Sequence, residues 1–232
     1  MCDSDGSHHV QLTFLNKAVG SPRWSPNGQQ IAFDVHGEDN GDIYVISAEG
    51  GLPHPVVADD SEDVLPAWSA DGRWIYFVSN RTGGSELWKV PAVGGEALQV
   101  TRHGGGFAFE SPDGKYVYYV KDLYYAKDSA PGIWRVPADG GDETLVLDSY
   151  KPENFGDWTV VSDGIYFVNP DARDGVAIEF FNFATKRVKQ VAGLGKIDIL
   201  FSGIAISPDR RHILYTQSDQ SGGDIMLVEN FR

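Results

Sequence analysis

Asp59-Asp60-Ser61-Glu62-Asp63 places four carboxylates in five residues. Hard cations take several oxygen ligands, so a run of this density is the natural place to look for a divalent cation such as calcium. The spacing does not fit an EF-hand loop, and neighbouring loop carboxylates ordinarily face water; apart from such a cation no cofactor is expected. His103-Gly104-Gly105-Gly106 sets an imidazole beside a backbone open to close approach, without the spacing of a phosphate loop. Glu153, Asp157 and Asp198 are further carboxylates in the segments between repeats. Two carboxylates facing each other could hydrolyse a glycosidic bond. Nucleophilic catalysis finds little support. There is no G-x-S-x-G to expose a serine, and Cys2 has no basic cluster nearby to lower its thiol pKa. His36, His54, His103 and His212 fall in different parts of the chain, and an isolated histidine is more often structural or solvated than a ligand.

The elements that must hold these residues repeat along the chain. Trp68-Ser69-Ala70-Asp71-Gly72-Arg73-Trp74-Ile75-Tyr76-Phe77 reads as a strand end, a tight Asp-Gly turn and a second, alternating strand. Copies stand at Trp24-Ser25-Pro26-Asn27-Gly28, Glu110-Ser111-Pro112-Asp113-Gly114, Val161-Ser162-Asp163-Gly164 and Ser207-Pro208-Asp209-Arg210. The turn residues 27, 71, 113, 163 and 209 are 44, 42, 50 and 46 apart. In phase with them runs an apolar strand followed by Gly-Gly: Ile43–Ile46 with Gly50-Gly51, Leu87–Val90 with Gly94-Gly95, and Ile133–Val136 with Gly140-Gly141. Each unit supplies four short strands. A period of roughly 40 to 50 residues built from strands is the mark of a β-propeller blade. No stretch carries sustained helical periodicity, so the expected fold is all-β, a five-bladed β-propeller of four-stranded antiparallel blades.

The pattern W-S-x-D-G-x-x-I-x-F followed by I-Y-V-x-x-x-x-G-G resembles the TolB-like propeller repeat, a relative of the WD-type repeats. Five copies cover nearly the whole chain; the fourth lacks Gly-Gly, and the fifth has Arg210 where glycine is expected. The resemblance implies a bacterial scaffold that receives a protein or peptide at its channel mouth, outside the cytoplasm or in the periplasm. Such propellers commonly have six or more blades, and the start in mid-blade and the final Asp224 to Arg232 resemble the C-terminal propeller part of a longer protein.

The expected blades are about 22–57, 66–100, 107–147, 158–191 and 204–228, forming one domain over 1–232. Val10 to Thr13 reads as a lone last strand and Ile225 to Val228 as a third strand lacking a fourth. The two are expected to pair and close the ring, which hides sheet edges, the alternative being that copies associate to complete a ring. The loops between blades, 15–21, 59–65, 102–106, 149–157 and 193–202, would then form one mouth, where loops on a rigid scaffold carry function. They hold Asp59, Asp60, Glu62, Asp63, His103, Glu153, Asp157 and Asp198, the candidate ligand-binding residues. An insertion, Lys121 to Gly132, adds Tyr124 and Tyr125 to the third blade.

A net charge of −14 argues against nucleic acid and against anionic membrane surfaces. No apolar run is long enough for a transmembrane helix, and the first residues lack a signal-peptide pattern. A monomer is expected. The function that follows is a non-catalytic module for protein or peptide interaction, or for ligand sensing. The alternative is a propeller enzyme, a hydrolase or lyase of lactone, ester or glycan type, using the mouth carboxylates or His103 with or without a divalent metal.

Overall fold

The computed structural model describes residues 1–2, 6–38, 40–121, 131–150, 156–195, 203–219 and 222–229, from 217 onward the backbone alone. Glu153, Asp198, Tyr124 and Tyr125 lie outside the described residues. Every described element is a strand or a turn; no helix occurs among them.

Two compact units divide the chain, Met1–Glu110 and Ser111–Arg232. The first contains a sheet of β1 (Ala18–Trp24), β2 (Gln30–His36), β3 (Gly41–Ser47) and β4 (His54–Val57) in that spatial order. A second sheet is built the same way from β5 (Asp63–Trp68), β6 (Trp74–Ser79), β7 (Glu86–Pro91) and β8 (Leu98–Gln99). The division falls after β9 (Gly106–Glu110), so the third repeat gives β9 to the first unit. The second unit receives β10 (Tyr116–Lys121), β11 (Gly132–Pro137) and β12 (Thr144–Leu147). It also holds a four-stranded sheet of β13 (Trp158–Val161), β14 (Gly164–Asn169), β15 (Val176–Asn182) and β16 (Val188–Gly195). Last come β17 (Ile204–Ile206), β18 (His212–Asp219) and β19 (Gly222–Glu229). The pairings recorded within the sheets are antiparallel.

The turn motif has one geometry in four repeats. Ser25, Ser69, Ser111 and Ser207 each donate their hydroxyl to the Asn or Asp two residues on, at 2.7–2.8 Å. Each also accepts the N–H five residues on, at 2.9–3.0 Å. The residue that follows the Asn or Asp has φ of 69°, 71° and 70° at Gly28, Gly72 and Gly114. Arg210 occupies the same left-handed position at 58°. The fourth repeat shortens the turn, pairing Val161 directly with Gly164. A Cβ on Gly164 would lie 2.2 Å from the carbonyl oxygen of Phe181, so glycine is required there for close approach rather than for its φ. That repeat also replaces Gly-Gly with an Asn182-led turn, whose side chain accepts the N–H groups of Ala184 and Thr185.

Alternation puts one face of each strand into a core. Ala32, Ile43, Val45, Val56 and Val57 of the first sheet pack on Trp68, Ile75, Phe77 and Val90 of the second. In the second unit Tyr166, Val168, Val176 and Ile178 pack on Ile204, Ile213 and Tyr215. Val10 to Thr13, expected as a closing strand, are not assigned as a strand, and the sheet of β17 to β19 has three strands. Val10 instead exchanges backbone hydrogen bonds with Met1, at 2.7 and 2.8 Å. Leu12 and Leu15 are spent covering Ile31, Phe33, Val35 and Ile46 on the outer face of the first sheet.

β1 begins at Ala18, ahead of the expected Pro22, because a bulge between Gly20 and Arg23 lets the strand continue past the proline. Ser21 within it has φ of 48°. β5 repeats the device between Val64 and Ala67, with Leu65 at 58°.

Candidate functional site in the β4–β5 connection

The acidic run lies in the connection from β4 to β5 and is held from both sides. The Asn40 amide, from the β2–β3 turn, donates to the Asp59 carbonyl at 2.6 Å. The Glu62 N–H donates to Asn80 Oδ1, in the β6–β7 turn, at 3.0 Å. Asp59 Oδ1 accepts the Ser61 N–H at 2.9 Å, a local turn of the kind short acidic side chains favour.

Arg81 decides the electrostatics. Its Nη2 stands 3.1 Å from Asp59 Oδ2 and 3.0 Å from both Asp63 oxygens, while Nε donates to Ser79 Oγ at 2.9 Å. The guanidinium lies over Trp88 and Phe77, 4.8 and 5.3 Å from their ring centres. Asp63 is fully buried and Arg81 is 20% exposed. Burial pushes the Asp63 carboxyl above its ordinary value, against the pull of Ser79 and Arg81. For Asp59 burial also acts upward, but the backbone and hydroxyl of Ser61 and the charge of Arg81 outweigh it and hold the carboxyl low. Asp42 is raised by burial, which Lys17 opposes and Asp59 reinforces. Two of the four carboxylates are thus bonded to an internal cation, leaving Asp60 exposed and Glu62 half-exposed. Among the described residues no group of three or more His, Cys, Asp or Glu is placed to hold a metal ion.

Three residues face this loop that the spacing of the acidic run does not mark. Asp34, buried in β2, accepts the Leu65 N–H through Oδ2 at 2.9 Å and thereby fixes the residue with positive φ in the β5 bulge. Asp34 Oδ1 is 3.1 Å from His36 Nε2. His36 Nδ1 is 3.9 Å from Glu62 Oε1. A signal for Asp34 exists in the sequence: it is a charged residue within Ile31-Ala32-Phe33-Asp34-Val35, on the side that turns to the next sheet. Buried carboxylates are rare without a partner. Arg81 carries no such mark, because a turn arginine reads as solvated.

The loop of His103 is fastened differently. Buried Glu86, at the start of β7, accepts the Thr101 hydroxyl at 2.6 Å. It also accepts the Gly104 N–H, at 3.0 and 3.1 Å to its two oxygens. The glycines allow this close approach, with Gly104 at φ 84°. His103 itself is exposed. In the second unit Asp157 is buried just ahead of β13. Tyr150 stands 6.0 Å from Phe167 and 6.5 Å from Trp158, ring centre to ring centre. Burial drives its hydroxyl strongly upward, and the Asp157 charge adds to that. The structure therefore gathers Asp59, Glu62 and Asp63 with Arg81, Asp34 and His36. Asp60 and His103 stand on loops of the same unit, and Asp157 belongs to the other. A separate apolar cavity of about 470 Å³ lies by the first sheet, lined by residues that include Leu12, Pro22, Trp24, Ile31, Phe33 and Ile46.

Antiparallel sheets of three or four short strands, recurring at this length and packed through apolar cores within each unit, define the chain as an all-β repeat protein. Residues 4–124, more than half of it, match the TolB beta propeller domain, and the chain belongs to that family. Among solved structures, TolB from Acinetobacter baumannii superposes with a TM-score of 0.79 at 18% identity, over 100% of this chain and 57% of that one. An uncharacterised protein of Agrobacterium fabrum, Atu1656, is 27% identical over 62% of this chain and 53% of its own length. Dipeptidyl-peptidase 5 of Porphyromonas endodontalis is 22% identical over 91% of this chain and 31% of that protein. The chain thus spans about half or less of these relatives. Other structural neighbours include a puromycin hydrolase and an oligogalacturonate lyase.

Proposed function

We propose that the chain is a non-catalytic module that receives a protein or peptide on its mouth loops. The supporting observation is the state of the second mouth loop. Asp59 and Asp63 are bonded to Arg81, and the loop is fastened at Asn40, Asn80 and Asp34. What it offers outward is a fixed backbone with Asp60 and Glu62, suited to recognition more than to proton transfer. This reading includes a five-bladed, monomeric propeller working outside the cytoplasm, as the family likeness to TolB suggests. The relatives include peptidases and a lyase, so the test must be able to find turnover.

Purified protein is expected to leave ester, lactone and oligosaccharide substrates unchanged. Peptides selected by display against it are expected to lose about tenfold or more in affinity for the Asp60→Ala, Glu62→Ala double variant, measured by fluorescence anisotropy. Turnover of any of those substrates that disappears in His103→Ala or Glu62→Ala would overturn the reading.

A further inference from the structure

We infer that residues 186–190, the turn into β16 and its first half, form a docking edge at which an extended acidic segment of another protein adds a strand to the fourth sheet. β16 stands last in the order β13-β14-β15-β16, and no described strand pairs with its free side. An unpaired edge presents N–H and C=O groups that an extended chain can join. The Asn182 N–H donates to the Arg187 carbonyl at 3.0 Å, so alternation turns the N–H and C=O of Val188 away from β15.

The other four-stranded sheets keep this edge short. Their outermost strands β4, β8 and β12 have 4, 2 and 4 residues, and β4 carries Pro55. β16 has 8 residues and no proline. Further along it, extra residues at Val191 and Leu194 bulge the strand, and Val191, Ala192 and Leu194 pack into the core. That leaves 186–190 as the usable edge.

Charge states the partner. From residue 180 to 197 the chain has Lys186, Arg187, Lys189 and Lys196 and no carboxylate side chain, in a protein of net −14. Residues 186–190 are all exposed, Val188 at 42%. Lys186 Nζ lies 5.8 Å from the Phe181 ring centre. Among the described residues neither Arg187 nor Lys189 forms an ion pair, whereas Arg81, Lys121 and Arg210 do. Two apart along an extended chain, Arg187 and Lys189 project to one face, where carboxylates at alternate positions of an added strand meet both. Cations on an edge ordinarily keep the edges of like chains apart. The same charges that repel the β16 of a second copy attract a strand of opposite sign, so this edge selects its partner. The site lies in the second unit and the acidic β4–β5 connection in the first, so neither reading rests on the other.

Titration of the whole chain with ten-residue peptides, followed through its amide NMR shifts, tests the proposal. A peptide alternating Glu and Thr is expected to shift the amides of residues 187–190 with a dissociation constant of about 0.1–1 mM in roughly 0.05 M salt, the weak regime of a short edge with two charge pairs. A peptide in which proline replaces every second Thr keeps the charge but cannot complete the ladder, and should bind about tenfold more weakly or not at all. The Arg187→Glu, Lys189→Glu double variant, at exposed positions that leave the fold intact, should lose about tenfold or more in affinity for the Glu-Thr peptide. A peptide alternating Lys and Thr should leave these amides unshifted. No shift at 187–190 with the Glu-Thr peptide, equal binding of the proline or lysine peptide, or unchanged affinity in the double variant overturns the proposal. So does a dimer of the chain, seen by sedimentation velocity, that the double variant disperses, because the occupant of the edge is then a second copy.

Discussion

Arg81 shows how one side chain redefines a cluster. Read as sequence, four carboxylates in five residues suggest a cation site; in the folded chain two of them, Asp59 and Asp63, face the guanidinium of Arg81. The guanidinium is hydrogen-bonded, stacked and partly desolvated, the setting in which removing one partner costs most. Arg81→Ala is expected to destabilise the first unit by about 2–4 kcal/mol in urea unfolding, because Asp63 is left buried without its cation. Arg81→Lys should recover less than half of that, since an ammonium cannot span Asp59, Asp63 and Ser79 together. The turn aspartates make a different prediction. Asp71 accepts the backbone N–H of Arg73 and the Ser69 hydroxyl, and these hold it at about 2. Asp113 is held at about 2 by the Lys115 and Ser111 side chains and the Lys115 N–H. Both lie below the ordinary 3.8, so their contribution is complete above about pH 4 and is lost as pH falls from there towards 2. Asp71→Asn should keep the turn, as Asn27 does in the first repeat, while flattening the fall in unfolding midpoint between pH 4 and 2. An unchanged slope would show that the turn bonds do not set the acid limit.

The turns also join neighbouring repeats, and each junction uses different chemistry. Trp68 donates its indole N–H to the Arg23 carbonyl at 3.0 Å. Glu110, at the position of that tryptophan in the next repeat, accepts the Ala70 N–H and the Tyr76 hydroxyl, both at 2.6 Å. Arg210 pairs with Asp163 at 2.7 Å and donates to Ser162 Oγ at 2.8 Å. The period, the turn chemistry and the alternating strands were legible in sequence because they are local and repeat. The junctions were not, because tryptophan, glutamate and arginine share no pattern. Arg210 stood out only as a missing glycine, and the structure supplies the reason: its side chain reaches the preceding turn while its backbone bears the left-handed strain. Two substitutions separate these effects. Arg210→Ala keeps the strain and loses the pair, and should destabilise by about 1 kcal/mol. Arg210→Gly loses the pair but relieves the strain, and should stay within about 0.5 kcal/mol of wild type in the same unfolding measurement. Equal losses in the two variants would mean that the backbone is unstrained there.

At the scale of the molecule, an all-β repeat followed from counting turns, but the fate of the N-terminal segment did not. Val10 to Thr13 carries the apolar alternation of a strand, and that pattern is equally served by Leu12 and Leu15 covering the first sheet. Local pattern says that a face will be buried, not against which neighbour. Charge behaves in the opposite way, being a sum to which position matters little. Pairing leaves the net −14 unchanged, since each ion pair, Arg81 with Asp63, Lys121 with Glu143 and Arg210 with Asp163, removes one charge of each sign. An approaching partner meets mainly carboxylates, so encounter is steered by its own charge. If peptides bind the mouth loops, a lysine-rich one should associate about tenfold more slowly when salt is raised from roughly 0.02 to 0.3 M, as the screening length contracts from about 20 to 6 Å. A neutral peptide of equal length should show little change, and dissociation rates should vary less than association rates. Stopped-flow fluorescence measures both. A lysine-rich peptide whose association ignores salt would mean that the carboxylates play no part in the encounter, and recognition would then rest on the loop backbone and the apolar surface beside it.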